Sequence, residues 1–558
     1  MKRLLFYSFL YFLTSIAYSQ KHTVGLIQAN NTKTYPGYNL IYPHEQPNVY
    51  LLDNCGEIVH TWTDVADSRP GNTVYLQEDG SIIKTKRPAA ITGNPIWSGG
   101  GGGTVEKRDW NNNLLWTFTL NDSFNRLHHD IAPMPNGNIL MICWVKKTKA
   151  QAIAQGRNPA FLANGEIWYD KIIEVKPKGK DSFDIVWEWH LWDHLIQDFD
   201  STKPNYGKPE NFPGRVNFNY ANLNSAKNWA FLNAISYNVG LDQIVVSSPS
   251  FNEVWVIDHS TTKAQAASNL GGFGHIGGDL MFRWGNPHAY NSGTVQDQKL
   301  FFQHDIHWMG KNFGEKDFGK LMVFNNRAGS NYSSVNIIET NFDNYFWKYN
   351  KSGNTYLPKT FYWSYKRPDS TAMFSSGLSS VQRLENGNTL ICSAQQGYTF
   401  EITPTNEIVW EYVTPLKLGV RVKQGDSLKT ADNNTFRVKR FGMDFPAFVG
   451  KNLTPKGFIE LNPDTNFCSL VAGIQKVTVE KSMRVYPNPA TVILNIITDN
   501  SKQSIQHLRL QNITGETVLE LNDLYENEKS MDVSRLPEGL YFLSINGQGV
   551  PQKIVVKH

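Results

Sequence analysis

The chain has 558 residues, of which 40% are apolar, 13% aromatic and only 19% charged, a balance that excludes a disordered chain, a coiled coil or a collagen-like fibre. Lys and Arg number 54 against 50 Asp and Glu, with no long basic run. The electrostatic footprint of a nucleic-acid or anionic-membrane binder is therefore missing, and no nucleic-acid partner is expected.

The chain opens with Lys2 and Arg3, an apolar stretch over residues 4–16 and small residues at Ala17 and Ser19. That order predicts a signal peptide over residues 1–19, with Gln20 as the first mature residue. The stretch is too short to span a bilayer, and no later segment reaches eighteen consecutive apolar residues, so an exported protein without an integral membrane segment is expected. The four cysteines, Cys55, Cys143, Cys392 and Cys468, are far apart and share no metal-ligand spacing. Export permits disulfides, and the three possible pairings remain open.

A repeated unit follows between about residues 50 and 415. In one copy, residues 379–391 surround Asn386-Gly387, and two further strands follow at 397–402 and 407–412; a second copy turns at Asn136-Gly137. Asn-Gly favours a tight hairpin because both residues tolerate positive φ, and the flanking β-branched and aromatic residues suit a pleated, half-buried surface. Each copy ends on an apolar strand with Trp: Trp62, Trp116, Trp187, Trp284, Trp363 and Trp410, spaced by 47 to 97 residues. Six such units predict an all-β fold, a six-bladed β-propeller over residues 20–465, with seven or eight blades as the competing count. Residues 466–482 read as a linker, and the short strands and Gly/Pro turns of residues 483–558 as a small β-sandwich.

The tail carries Tyr486-Pro487-Asn488-Pro489, Leu536-Pro537-Glu538-Gly539-Leu540-Tyr541 and Lys553-Ile554-Val555-Val556-Lys557. In these it resembles the C-terminal sorting domain of the type IX secretion system. The resemblance implies export through periplasm and outer membrane, with the secretion machinery as partner and release or surface attachment as the end point.

The large domain carries Gly37-Tyr38-Asn39-Leu40-Ile41-Tyr42-Pro43, Leu127-His128-His129-Asp130-Ile131, Arg283-Trp284-Gly285-Asn286-Pro287, Gln303-His304-Asp305 and Val323-Phe324-Asn325-Asn326. Together these resemble the arylsulfate sulfotransferase family of secreted propellers. The resemblance implies transfer of a sulfuryl group from a small aromatic sulfate to a phenolic acceptor through a sulfated histidine, with no nucleotide donor and no cofactor. The chemistry needs a neutral imidazole nucleophile and several converging donors for the developing charge. His304 is the expected nucleophile or sulfuryl-binding imidazole, supported by His128 and His129, with Asn233, Asp130, Asp305 and Asn325 as expected substrate-binding residues. His128, His129, His304 and Asn233 are expected to converge on the propeller axis.

Other features pull against a catalytic reading. Phe231 stands where the family pattern Trp-x-His-x-Asn carries an imidazole, no histidine occurs between His307 and His507, and no active-site Arg is recognisable near Tyr332. The alternative is a non-catalytic propeller that binds a sulfated or phenolic ligand, or a surface glycan. His190 and His194 have a spacing compatible with zinc on a helix face, but they lack a third ligand and sit among Trp and Leu, so packing is expected and no metal. The glycine run at 99–103 is expected to form a flexible blade-edge loop.

Overall fold

The computed structural model describes residues 22–89, 96–220, 227–468, 483–498, 505–522, 524, 528–545 and 548–558; the expected signal peptide and most of the expected linker lie outside them. The chain divides into two units, Met1–Gly473 and Ile474–His558.

Unit one contains six antiparallel sheets built on a four-strand meander, which we number one to six. Their first strands are Thr435–Gly442, Ser68–Leu76, Asn125–Pro133, Ala234–Asn238, His304–Trp308 and Ser380–Arg383. Their fourth strands are Ile58–Trp62, Leu114–Thr119, Ser182–His190, Phe282–Trp284, Trp363–Tyr365 and Ile408–Val413. The Asn-Gly turns form as their residues dictate. In sheet three Gly137 takes φ +84° and returns its amide to Met134 O at 3.0 Å; in sheet six Gly387 takes φ +88° and bonds Leu384 O at 2.9 Å. A side chain with Cβ is disfavoured in that left-handed region.

Each of the six repeat tryptophans lies in the fourth strand of a different sheet. Five of their indole N–H groups reach the next sheet or the loops attached to it. Trp62 donates to Asp109 O (3.0 Å), Trp116 to Ser182 O (3.0 Å), Trp187 to Thr261 Oγ1 (3.1 Å), Trp284 to Pro358 O (2.5 Å) and Trp410 to Asn54 O (2.7 Å). Trp363, half-buried, instead lies 4.9 Å beneath the Arg383 guanidinium of sheet six. Consecutive sheets also touch through their first strands, and sheet six touches sheet one.

The two ends of unit one interlock. Sheet one takes its first strand from late in the chain, Thr435–Gly442, which pairs with Gly37–Pro43. Sheet six takes a fifth strand from the beginning, Gly25–Ala29, which pairs with Ile408–Val413. Fully buried Arg440 fastens the join: it donates to Asn39 Oδ1 (2.8 Å), pairs with Glu401 and lies 4.4 Å over the Trp410 ring. Cys55 is disulfide-bonded to Cys468, whereas Cys143 and Cys392 are buried thiols. Trp410 fills the join between sheets six and one, so Trp410→Ala is expected to lower the stability of unit one by about 3–5 kcal/mol, measured by urea unfolding.

Unit two has two antiparallel sheets. One contains Met483–Tyr486, Ile493–Thr498 and Glu528–Asp532; the other contains Thr517–Leu521, Leu508–Asn512, Gly539–Ile545 and Gln548–Val556. Leu494, Ile496, Leu510, Met531, Tyr541 and Ile554 share one apolar core, so the unit has a core of its own.

Candidate active site

Arg437 brings all six sheets of unit one together. It lies on the first strand of sheet one, where Thr435-Phe436-Arg437-Val438-Lys439 alternates polar and apolar residues before Arg440. Its Nη2 and Nη1 donate to the two oxygens of Asp130 in sheet three at 2.7 and 3.0 Å, and its Nε donates to Asp305 Oδ1 in sheet five at 2.7 Å. Tyr75 of sheet two donates to Asp130 Oδ1 at 2.7 Å and accepts from Arg437. The amides of Ile235 in sheet four and Val381 in sheet six complete the carboxylate shells at 3.3 and 2.9 Å. Buried charges persist only when paired and hydrogen-bonded, and here one guanidinium serves two carboxylates.

Asp130 and Asp305 were expected to bind substrate, but their oxygens are engaged by Arg437 and by strand amides. Asn325 is likewise engaged: its Oδ1 accepts from Phe301 N (2.7 Å) and its Nδ2 donates to Lys299 O (2.9 Å), which fixes the loop before His304. Asn233 donates to Gln303 O at 2.9 Å and so braces the residue before His304.

The histidines lie just before this layer on their strands. His304 and Asp305 begin the first strand of sheet five; His128 and His129 precede Asp130 on that of sheet three. All three imidazoles are buried. His129 meets Phe231 edge-on at 4.8 Å, Phe231 lies 6.2 Å from Phe302, and Phe302 lies 5.9 Å from His304. Phe231 thus occupies the side of the cluster between the two histidine-bearing strands. Burial above all disfavours protonation of His129, and the charges that His128 and His304 would carry add to the effect.

His304 is held by its Nδ1, which is 2.8 Å from Asn326 Oδ1 and 3.2 Å from Phe302 O. Asn326 donates its amide group to Ser375 O (2.9 Å) and Leu378 O (2.8 Å), so its oxygen must face His304. Both partners of Nδ1 are acceptors; Nδ1 therefore carries the proton and Nε2 the lone pair. Burial pushes the His304 pKa down to about 4. Arg327, which directly follows Asn325-Asn326, lies 3.9 Å over the Phe302 ring, and its charge adds to the resistance of His304 to protonation.

The glycine run is not a free edge loop. Gly101 bridges to His128, and Gly100 O accepts the His129 amide at 2.7 Å. Nor do His190 and His194 share a helix face. His190 ends a strand and contacts Tyr169 and Glu188, whereas His194 ends a 3₁₀ turn and contacts Asp279 and Ala266 O. Among the described residues no cluster of three or more His, Cys, Asp or Glu is placed to hold a metal ion. Sequence reasoning missed Arg437 and Arg327. The available signals were the charged alternation after the last tryptophan repeat and the Arg directly following Asn325-Asn326.

Similar solved structures include a protein of unknown function from Bacteroides caccae (12% identity, 72% of this chain and 99% of that one, TM-score 0.37). Others are a streptogramin B lyase (12%, 76% and 96%, TM-score 0.34) and a periplasmic gluconolactonase from Pseudomonas aeruginosa (8%, 73% and 99%, TM-score 0.33). No curated protein matches the chain. Residues 484–557 match the secretion system C-terminal sorting domain, which marks the protein for type IX export to the cell surface or beyond. No helix among the described residues is long and apolar enough to cross a membrane. Residues 10–417 match arylsulfotransferase (ASST), a stretch that takes in both histidine-bearing strands and stops short of the strand carrying Arg437; the chain belongs to the arylsulfotransferase family.

Proposed function

We propose that the six sheets of unit one are the blades of a six-bladed β-propeller, and that its axis carries a nucleotide-independent sulfuryl-transfer site acting from a phenolic sulfate ester to a phenolic acceptor. The observation that carries this reading is His304: a buried imidazole with Nδ1–H tied to two acceptors, neutral at pH 7, whose Nε2 lone pair has no hydrogen-bond partner among the described residues. A neutral imidazole is a competent nucleophile, and burial here maintains that form.

In the first half-reaction Nε2 attacks sulfur. The N–S bond forms as the S–O(aryl) bond breaks, and the electron pair leaves on the phenolate oxygen, which takes a proton from Nε2 of His129. In the second, the acceptor phenol returns a proton to His129 Nε2 while its oxygen attacks sulfur and the N–S bond breaks. Phe231 and Phe302 offer aromatic walls for the aryl group, and Arg327 lends positive charge beside the sulfuryl oxygens. No step calls for a metal or a nucleotide.

The test is turnover of 4-nitrophenyl sulfate by the purified mature protein with phenol present and nucleotide absent. Nitrophenolate release that depends on the phenol supports the reading, and its absence sinks it. Phe231 favours the second reading, a propeller that binds an aromatic sulfate without turning it over; saturable binding with no transfer would establish that instead. Deleting residues 483–558 should leave the unfolding midpoint of unit one within about 1 °C of the full chain, because unit two has its own core, while abolishing export past the outer membrane. Fractionation of cells producing the truncated chain checks this, and continued secretion would contradict it.

A further inference from the structure

A cavity of about 380 Å³ lies between the chain leaving the fourth strand of sheet four and the insertion that precedes the fourth strand of sheet five. Small-molecule sites begin at about 300 Å³. One wall is the segment 283–299. Gly285 takes φ +120°, and its carbonyl accepts the Lys299 amide at 2.7 Å, which draws the two ends of that segment together. A Cβ at Gly285 would meet Asn252 O at 2.5 Å and Leu300 Cδ1 at 2.7 Å, so a side chain there would force them apart. The other wall is the hairpin in which Lys351–Ser352 pairs with Thr355–Tyr356. Thr355 Oγ1 donates to Ser292 O at 2.7 Å and Asn354 Nδ2 to Glu210 O at 2.6 Å, so the hairpin is pinned and the walls are fixed before any ligand arrives.

The charged side chains lining the cavity are Arg283, Asp297, Lys299 and Lys359. Arg283 is satisfied inside the fold: it pairs with Glu253, donates to Arg215 O at 2.8 Å and lies 4.3 Å over the Tyr290 ring. The ammonium groups of Lys299 and Lys359 have no hydrogen bond or ion pair among the described residues. Asp297 spends one oxygen on its own turn. Its Oδ2 accepts from the Thr294 amide at 2.8 Å and the Thr294 hydroxyl at 2.9 Å, whereas Oδ1 has no partner among the described residues. Those two bonds, with the charges of Lys299 and Lys359 adding to them, hold the Asp297 carboxyl below its usual range, so it stays ionised. Two ammonium groups against one carboxylate leave a single positive charge in excess. Ser352 and Thr360 add hydroxyl groups to the walls, and Trp284, Tyr290 and Tyr356 add aromatic carbon.

Each part of this set recognises a different part of one molecule. Two ammonium groups suit an oxyanion, a carboxylate oxygen accepts from hydroxyl groups, and Ser and Thr both donate and accept. A bare anion would meet Asp297 as a repulsive neighbour, and a neutral sugar would leave both lysines unpaired. We infer that the cavity binds an anionic sugar residue, with Lys299 and Lys359 on its acidic group and Asp297, Ser352 and Thr360 on its hydroxyls. The main chain of Lys299 also ties the cavity to the histidine cluster: its carbonyl accepts from Asn325 Nδ2 at 2.9 Å, on the segment that runs on to His304. A glycan held here lies against the chain leading into that cluster. The inference does not rest on the sulfuryl-transfer reading.

Calorimetric titration of the mature protein with D-glucuronate, glucose 6-sulfate, glucose and sodium sulfate tests the site. At least one of the two acidic sugars should bind about 10-fold or more tighter than glucose and than sulfate, because hydrogen bonds to a charged group are the strong ones. The tighter of the two identifies the acidic group as a carboxylate or a sulfate ester. Lys299→Ala and Lys359→Ala should each weaken that binding about 10-fold, whereas His304→Gln should leave it unchanged. Lys359 is exposed, so its replacement tests the site even if Lys299→Ala fails to fold. Acidic sugars bound no tighter than glucose, sulfate bound as tightly as either of them, or an affinity unchanged in Lys359→Ala would overturn the assignment. So would a loss of binding in His304→Gln, which would place the sugar at the histidine cluster instead.

Discussion

Replacing His304 with Gln is expected to remove nearly all transfer from an aromatic sulfate, a loss of about 1,000-fold or more, with the fold retained. Gln fills a similar space and can still donate to Asn326 Oδ1, but it has no nitrogen lone pair able to form a sulfated intermediate. The wild-type pH profile should carry the same signature. Protonation at Nε2 removes the nucleophile, so activity should fall as pH drops through about 4, the value to which burial brings His304. An acid limb centred on the ordinary histidine value of 6.5 would mean that the reacting imidazole is solvated and is not His304.

The second large effect is expected at Arg437, through stability. Arg437→Leu removes the cation between Asp130 and Asp305, leaving two carboxylates buried among six strands. Breaking such a network by removing one partner costs about 3–5 kcal/mol, so the variant should unfold at markedly lower urea concentration or fail to accumulate. Replacing the carboxylates as well, Arg437→Met with Asp130→Asn and Asp305→Asn, should recover part of the loss, since of this group only Lys439, which lies 3.8 Å from Asp305 Oδ2 and is partly exposed, then keeps a charge. A single Arg437→Leu variant as stable as the wild type would show that the guanidinium does not hold the strands together.

The tryptophan repeats made the fourth strands legible, because an indole recurs on the fourth strand once per sheet, buried in all but Trp363, and the Asn-Gly turns marked the first hairpins of sheets three and six. Strand Thr435–Gly442 was hidden for a physical reason. Arg437, Lys439 and Arg440 look solvent-facing in sequence, yet they are drawn inward by Asp130, Asp305 and Glu401, carboxylates up to 307 positions away. The strand Gly25–Ala29 was equally hidden, since its partner lies at the far end of the repeat array. The disulfide was undecided for the same reason: Cys55 and Cys468 are 413 positions apart. Within the site, the motifs pointed to the histidines because imidazoles at strand starts are chemically conspicuous. They could not show that Asp130, Asp305 and Asn325 are already engaged by Arg437 or by backbone groups, since each depends on a neighbour supplied by another part of the chain.

The most direct measurement is peptide mapping by mass spectrometry, at neutral to alkaline pH, of the mature protein mixed with 4-nitrophenyl sulfate in the absence of acceptor. An acid-labile sulfuryl adduct is expected on His304, one that disappears when phenol is added and does not form in His304→Gln. An adduct on another residue, or acceptor-dependent transfer with no adduct on any histidine, would contradict it.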